Sequence, residues 1–145
     1  MKGSLHYLLM ADHFLLQKAL SIRLKGTGLT PGQPKILDYL KEHDGAVQKE
    51  IATGCHIEPA SLTVILNGME DKGYIERKTI HGNRRSQYVF LTDPGRQHAV
   101  HLTAVFDQLE EKALADFTTN EIETLCTLLS RVHDNLSKEK ETTAE

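Results

Sequence analysis

The sequence predicts a mainly α fold with a small β-wing: a winged helix-turn-helix domain flanked by N- and C-terminal dimerisation helices. Three observations support this expectation. Residues 48–72 have the pattern of two short helices around a tight turn, and residues 74–91 have that of a cationic hairpin. Apolar stripes also run along both ends of the chain, and a small winged helix cannot cover them without a second subunit.

Two helices are expected before the helix-turn-helix. Residues 4–24 contain no Gly or Pro, and their leucines fall close to one stripe of a helix. These leucines are Leu5, Leu9, Leu16 and Leu20. A second helix should open near residue 30, because Thr30 can cap it, Pro31 suits its first position and Gln33 can complete a capping box.

The middle third of the chain has the helix-turn-helix pattern. A short helix from Gln48 to Gly54 precedes a tight turn, and a second helix runs from Pro59 to Lys72. Gly73 ends that second helix as the residue after its last turn. Its apolar positions predict one buried face and are Leu62, Ile65, Leu66 and Met69.

A hairpin should follow the second helix directly, which makes the motif a winged helix. Residues 74–80 and 87–91 are rich in β-branched and aromatic residues, and residues 81–83 form a turn signal between them. Four cations lie on the arms and tip of this hairpin, namely Arg77, Lys78, Arg84 and Arg85.

Two long helices are expected after the wing. One begins at residues 92–94, and Thr118 with Glu121 forms a capping box for the other. The apolar stripe of the first is Leu102, Val105, Phe106, Leu109, Ala113 and Phe117. That of the second is Ile122, Leu125, Leu129, Val132 and Leu136.

Composition and charge narrow the class of protein. The chain has 145 residues and a net charge of −3, which excludes a strongly basic nucleic-acid binder. Residues 46–92 nevertheless hold six Lys and Arg against five Asp and Glu, so the middle is slightly basic and the rest of the chain carries −4 in sum. No nucleophile motif, glycine-rich phosphate loop or recognisable carboxylate pair is present. We therefore expect neither an enzyme nor a cofactor.

The apolar runs, the N-terminal residues and the cysteines add expectations about localisation and about packing. No apolar run approaches the length of about 18 residues that a membrane span needs. Because His6, Asp12 and His13 also interrupt any signal-peptide core, we expect a cytoplasmic protein without a membrane partner. Cys55 and Cys126 belong to no CxxC pattern, and both are expected to pack as small apolar residues.

Several short segments resemble the MarR (multiple antibiotic resistance regulator) family of bacterial transcription regulators, most clearly over residues 29–96. The segments are Leu29-Thr30-Pro31-Gly32-Gln33, Glu50-Ile51-Ala52, Pro59-Ala60-Ser61-Leu62-Thr63, Glu70-Asp71-Lys72-Gly73-Tyr74-Ile75-Glu76-Arg77, Asn83-Arg84-Arg85 and Val89-Phe90-Leu91-Thr92-Asp93-Pro94-Gly95. The resemblance implies a homodimer that binds a pseudo-palindromic operator, usually as a repressor released by a small ligand, metal or oxidant. The chain departs from the family at Asn83, where Asp is usual, and at Val64 and Gly68, where Arg is frequent.

With this resemblance, we expect residues 1–145 to form a single MarR-type chain. Residues 30–95 would be its winged-helix DNA-binding lobe, residues 4–25 and 96–137 its dimerisation helices, and residues 138–145 a frayed tail.

Candidate DNA-binding residues lie on the second helix of the motif and on the wing. Hydroxyl, amide and small apolar side chains suit base edges, and arginine suits a narrow minor groove. The helix residues are Ala60, Ser61, Thr63, Val64 and Asn67, and the wing residues are Lys78, Asn83, Arg84 and Arg85. The alternative interpretation is a solvated helix face and a solvated charged hairpin.

A candidate effector site lies on the first helix. A second stripe beside its leucines combines apolar and polar residues, as suits a small aromatic or anionic ligand, and consists of His6, Met10, His13 and Gln17. Packing against a partner subunit is an equally good interpretation. No metal site is assigned, although His98 and His101 have a spacing that a metal can use.

The sequence thus predicts a homodimeric, sequence-specific transcription regulator, a repressor released by a small ligand. Two alternatives stay open: a winged-helix module that binds protein with little or no DNA binding, and a zinc-responsive regulator.

Overall fold

A computed structural model describes residues 2–80 and 86–139 of the chain. It is mostly helical with a small sheet, as predicted, and it divides into two compact units, residues 1–109 and residues 110–145. In chain order, the elements of the described residues are α1 (Leu5–Arg23), α2 (Gln33–Glu42), β1 (Ala46–Val47), α3 (Gln48–Cys55), α4 (Pro59–Asp71), β2 (Ile75–Thr79), β3 (Gln87–Leu91), α5 (Asp93–Ala113) and α6 (Thr119–Ser137).

The core of the first unit joins α2, α3, α4, the sheet and α5. Each of these elements contributes side chains that are fully buried, so their removal from water stabilises the whole lobe. The largest of them are Ile36, Leu37, Leu40, Ile51, Leu62, Leu66, Met69, Ile75, Val89 and Leu102. The apolar face predicted for α4 is therefore confirmed, with Ile65 half-buried at its edge.

The start of α2 differs from the prediction. Gly32 has φ 90°, a left-handed conformation that turns the chain, so the helix begins at Gln33 and not at Pro31. Thr30 is not the capping residue, although its backbone N–H donates to Gln33 Oε1 at 3.1 Å. A Cβ on Gly32 would lie 2.8 Å from Ile65 Cδ1, so the glycine also lets this turn approach α4 closely.

The sheet is antiparallel with the strand order β1-β3-β2. β2 and β3 form the predicted hairpin, with Ile75 opposite Leu91 and Arg77 opposite Val89. β1 was not predicted, because two residues are too few to show an alternating pattern. Its Ala46 also pairs with Val89, so β3 is the central strand. The expected wing tip, residues 81–85, lies outside the described residues.

The C-terminal helices largely follow the predicted stripes. Leu102, Val105 and Leu109 of α5 are buried, whereas Ala113 and Phe117, at and beyond the end of this helix, are exposed in the single chain. The capping box of α6 is confirmed. Glu121 N–H donates to Thr118 Oγ1 at 3.1 Å, and Thr118 N–H donates to Glu121 Oε1 at 3.0 Å. Of the expected frayed tail, residues 140–145 lie outside the described residues.

The apolar stripe of α6 is only partly covered within the chain. None of the residues in this helix is buried, and Leu129 and Leu136 remain 42% and 59% exposed. α1 likewise exposes Leu5, Leu8, Leu9, Met10, Phe14, Leu15, Leu16 and Ile22. Within the described residues, no helix combines the length and the hydropathy that a membrane crossing requires.

Candidate nucleic-acid interface

The helix α4 has one buried face and one accessible face. Pro59 occupies its first turn, where proline is favoured because its missing N–H has no helical partner there. Leu62, Leu66 and Met69 point into the core. The candidate DNA-binding residues are all exposed, as the helical period predicts, and are Ala60, Ser61, Thr63, Val64 and Asn67. Their contact with DNA remains a prediction.

The accessible face of α4 offers apolar and hydrogen-bonding groups without positive charge. Val64 is 71% exposed, so its apolar side chain is accessible to a binding partner. The Thr63 hydroxyl donates to the Pro59 carbonyl at 3.1 Å, so its proton is engaged and its oxygen and methyl group face outward. Such a face is suited to thymine methyl groups and base edges rather than to phosphates.

The turn between α3 and α4 is held by a left-handed residue. His56 has φ 53° and ends α3, and Ile57 N–H then donates to the Ala52 carbonyl at 3.0 Å. A Cβ on Gly54 would collide with the Tyr39 ring, so this glycine permits the close approach of α2 to α3. The predicted helix-turn-helix is confirmed, with Ala52 buried near the crossing of its helices.

Cys55 lies in the core of this motif, as predicted. Its Sγ donates to the Lys35 carbonyl at 3.6 Å, and burial raises the pKa of the thiol. A raised pKa lowers the thiolate fraction and hence the reactivity of the cysteine. Cys126, which the sequence placed in a packed position, is instead exposed on α6.

Arg77 of β2 makes three hydrogen bonds to the end of α4. Its Nε donates to Glu70 Oε2 at 2.9 Å, and its Nη2 donates to Glu70 Oε1 at 3.2 Å and to Asn67 Oδ1 at 2.7 Å. The hydrogen bond from Arg77 lowers the pKa of the Glu70 carboxyl. Because the arginine side chain is only 15% exposed, it braces the strand against the helix. From the sequence, Arg77 was predicted only as one of four cations on the hairpin, and its contact with α4 was not predicted.

Lys78, the next residue, points the other way from the core and is exposed. Its Nζ lies 3.5 Å from Glu76 Oε2 and 5.3 Å from the centroid of the Phe90 ring. An ion pair between two exposed side chains contributes little, so the ammonium group can exchange Glu76 for a phosphate. The other predicted wing residues, Asn83, Arg84 and Arg85, lie outside the described residues.

A pocket of about 770 Å³ lies within the first unit, between α1, α2 and α5. His13 and Gln17 of the predicted effector stripe line it, whereas His6 and Met10 do not. Lys18 and Lys35 supply positive charge, and an apolar wall is formed by other residues, among them Leu24 and Phe106. The sequence could not identify these partners because they come from three separate helices.

His98, one of the two histidines whose spacing a metal can use, has an aromatic neighbour, and so has His43 of the turn after α2. The His98 ring meets Tyr74 edge-on, with 4.7 Å between the ring centroids, and His43 stacks on Tyr39 at 4.3 Å. Burial, with nearby His101 and Lys72, lowers the pKa of His98. Within the described ranges, no three His, Cys, Asp or Glu residues are grouped so as to hold a metal ion.

The comparisons with known proteins agree with this geometry. The sequence model of the MarR family matches residues 29–87. The chain is 27% identical over 121 residues to the uncharacterized HTH-type transcriptional regulator YybA of Bacillus subtilis, covering 83% of this chain and 81% of that one.

Solved structures share the fold. A MarR-family transcriptional regulator from Listeria monocytogenes, complexed with a 26mer DNA, matches with TM-score 0.84 and 24% identity, covering 94% of this chain and 90% of that one. The Staphylococcus aureus MepR–DNA complex matches with TM-score 0.83 and 22% identity, covering 91% of this chain and 98% of that one. The relatives are regulators rather than enzymes. Residues 29–87 thus match the sequence model of the MarR family, and the chain shares the fold of the solved MarR-type regulators.

Proposed function

We propose that the chain is a homodimeric repressor that binds a pseudo-palindromic DNA operator in a sequence-specific manner and is released by a small ligand. The observation that carries this proposal is the accessible face of α4, where hydroxyl, amide and small apolar side chains stand together on a rigid helix. These side chains have the chemistry of a base-reading surface. The DNA complexes of two structural relatives support the same use of the fold.

The wing supplies the positive charge that α4 lacks. Lys78 is exposed on β2, and Arg84 and Arg85 follow in the sequence with Asn83. Contacts of cations with phosphates and with the minor groove provide affinity that depends on salt. We therefore assign anchoring to the wing and sequence selection to α4.

A second copy of the chain is the proposed occupant of the exposed apolar faces. α1 and α6 each carry a stripe of large apolar side chains that the single chain leaves in water, including Leu9 and Phe14 on α1 and Leu129 on α6. Patches of this kind on a helix mark protein interfaces. A twofold dimer would also present two α4 helices to the two halves of a palindrome.

The pocket in the first unit is the proposed ligand site. It combines Lys18, Lys35 and His13 with an apolar wall, a set that suits a small aromatic or anionic compound. It lies against α2, which packs on α3 of the DNA-binding motif. A ligand there would shift the DNA affinity only by binding one dimer conformation more tightly than another.

Binding to a duplex that covers the promoter of its own gene tests the proposal. Wild type should retard this duplex at low salt, and a scrambled duplex of equal length should compete poorly. The matched control is Thr127→Glu on α6, which adds a charge far from α4 in the chain. If wild type retards neither duplex at low salt, the protein-interaction module replaces the DNA-binding proposal. If zinc rather than an organic anion changes the affinity, the zinc-responsive alternative replaces the ligand proposal.

A further inference from the structure

The amide of Asn67 has a defined orientation, because its partner is an arginine. A guanidinium group can only donate hydrogen bonds, so the atom that it contacts must be the amide oxygen. Nη2 of Arg77 lies 2.7 Å from Asn67 Oδ1. The NH₂ group of the amide is therefore on the side away from Arg77. Asn67 is exposed on α4, so this NH₂ group is available to a molecule that approaches the helix.

Arg77 is itself held in place on both sides. Its two hydrogen bonds to Glu70 fix the plane of the guanidinium group, and β2 fixes its backbone opposite Val89. Bidentate arginine–carboxylate pairs have a narrow geometry, which a lysine does not reproduce. Through Arg77, β2 thus controls the orientation of the Asn67 side chain on α4.

We propose that Arg77 is a positioning residue that makes Asn67 a hydrogen-bond donor towards DNA. The inference rests on the proposed function, since it concerns how α4 reads a base. It predicts that the base facing Asn67 in each half-site carries an acceptor in the major groove. Guanine offers N7 and O6, thymine offers O4, and adenine offers N7 beside its amino group, whereas cytosine presents only an amino donor. Cytosine is therefore disfavoured at this position.

The orientation also weakens the usual pairing of asparagine with adenine. That pairing uses the amide oxygen and the NH₂ group together on N6 and N7 of the base. In this chain the oxygen is already bonded to Arg77 and turned towards it. Guanine or thymine should consequently be preferred over adenine, a choice that Asn67 alone does not determine.

Selection of bound duplexes from a library randomised over about 20 base pairs, enough for two half-sites, tests this inference. The variants are Asn67→Ala, Asn67→Asp, Arg77→Met and Glu70→Gln. Wild type should exclude cytosine at one position of each half-site by roughly tenfold. Asn67→Ala should remove that preference and identify the position. Asn67→Asp turns a donor into an acceptor, so cytosine or adenine should be enriched there.

Arg77→Met and Glu70→Gln separate positioning from simple bracing. Both variants weaken the contact between strand and helix, but only Arg77→Met frees the amide of Asn67 to turn. Arg77→Met should therefore admit adenine at the identified position, and Glu70→Gln should leave the preference there unchanged. Circular dichroism verifies that each variant is folded. If Arg77→Met does not fold, Asn67→Asp still decides whether residue 67 acts as a donor towards the base. This variant should fold, because position 67 is exposed.

Two results would overturn the inference while leaving the proposed function intact. One is an Arg77→Met protein that retains the wild-type preference at the Asn67 position. The other is a Glu70→Gln protein that changes this preference as much as Arg77→Met does. A wild type that enriches no sequence at all would instead overturn the proposed function, and this inference with it.

Discussion

At the scale of single residues, the neighbouring cations of β2 differ in what they contact. The Arg77 side chain is largely buried and hydrogen-bonds to Glu70 and Asn67, whereas Lys78 is exposed beside the Glu76 carboxylate and over the Phe90 ring. The hydrogen bonds of Arg77 use Nε and Nη2, so a phosphate could reach only Nη1 without displacing Glu70 or Asn67. We therefore propose different roles for these two neighbours, positioning for Arg77 and anchoring for Lys78.

The ion pair between Arg77 and Glu70 gives stability a specific dependence on pH. Since the pKa of Glu70 is lowered in the folded chain, its contribution is full above the ordinary value of 4.5 and is lost as pH falls through the lowered pKa. Glu70→Gln should destabilise the protein at pH 7 by less than about 1 kcal/mol, because the carboxylate is exposed. In urea unfolding, the difference in the free energy of unfolding between wild type and Glu70→Gln should shrink as the pH falls to about 3. A difference that stays constant with pH would contradict the assignment.

Two glycines provide a second prediction. Gly68 is inside α4, and a Cβ there would meet only Gln33 Nε2 at 3.8 Å, so Gly68→Ala should stabilise the protein by up to about 1 kcal/mol. A Cβ on Gly95 would instead collide with the Tyr74 carbonyl, so Gly95→Ala should destabilise it by about 1–3 kcal/mol. Thermal unfolding of both variants checks the pair. Equal effects of the two substitutions would show that local propensity, and not packing, decides at residue 95.

At the scale of elements, α4 and the wing should contribute differently to DNA binding, α4 to sequence preference and the wing to salt-dependent affinity. Lys78→Ala removes one exposed cation from each subunit, so the affinity for every duplex should fall and the salt slope should decrease by about one to two units. Ser61→Ala should cost about 1–3 kcal/mol on the cognate duplex alone and leave the slope nearly unchanged. Titrations at several salt concentrations with cognate and scrambled duplexes compare them. If Lys78→Ala altered sequence preference but not salt dependence, these roles would be wrong.

The elements also show what could be predicted from the sequence. Helices with a sustained apolar period, such as α1, α4 and α6, begin and end within about two residues of the prediction, because a repeated apolar spacing can be recognised in the sequence. This holds for α4, whose apolar face is buried, and for α6, whose stripe is exposed in the single chain. The start of α2 differed from the prediction because Gly32 adopts a left-handed conformation and the Gln33 side chain accepts a hydrogen bond from Thr30 N–H. The contact of Arg77 with Asn67 could not be foreseen, because it joins residues of two elements through tertiary packing.

At the scale of the whole molecule, the exposed stripes predict a dimer. Leu129→Glu would place a charge in the proposed interface at α6, where burial of an unpaired charge is costly. Sedimentation should show wild type as a dimer at micromolar concentration and Leu129→Glu as a monomer or unfolded chain. Thr127→Glu, on the opposite side of the α6 stripe, is the matched control and should remain dimeric. A folded wild-type monomer at this concentration would contradict the dimer.

A hydroxyl-radical footprint of wild type on the promoter of its own gene tests the central claim most directly. Two wing arms and two α4 helices related by a twofold axis should protect two symmetric segments whose centres lie about 10 base pairs apart, one turn of the duplex. Ser61→Ala should weaken protection without shifting it. Absence of protection at low salt would contradict DNA binding by α4, and a single asymmetric segment would contradict a dimer that reads both halves of a palindrome.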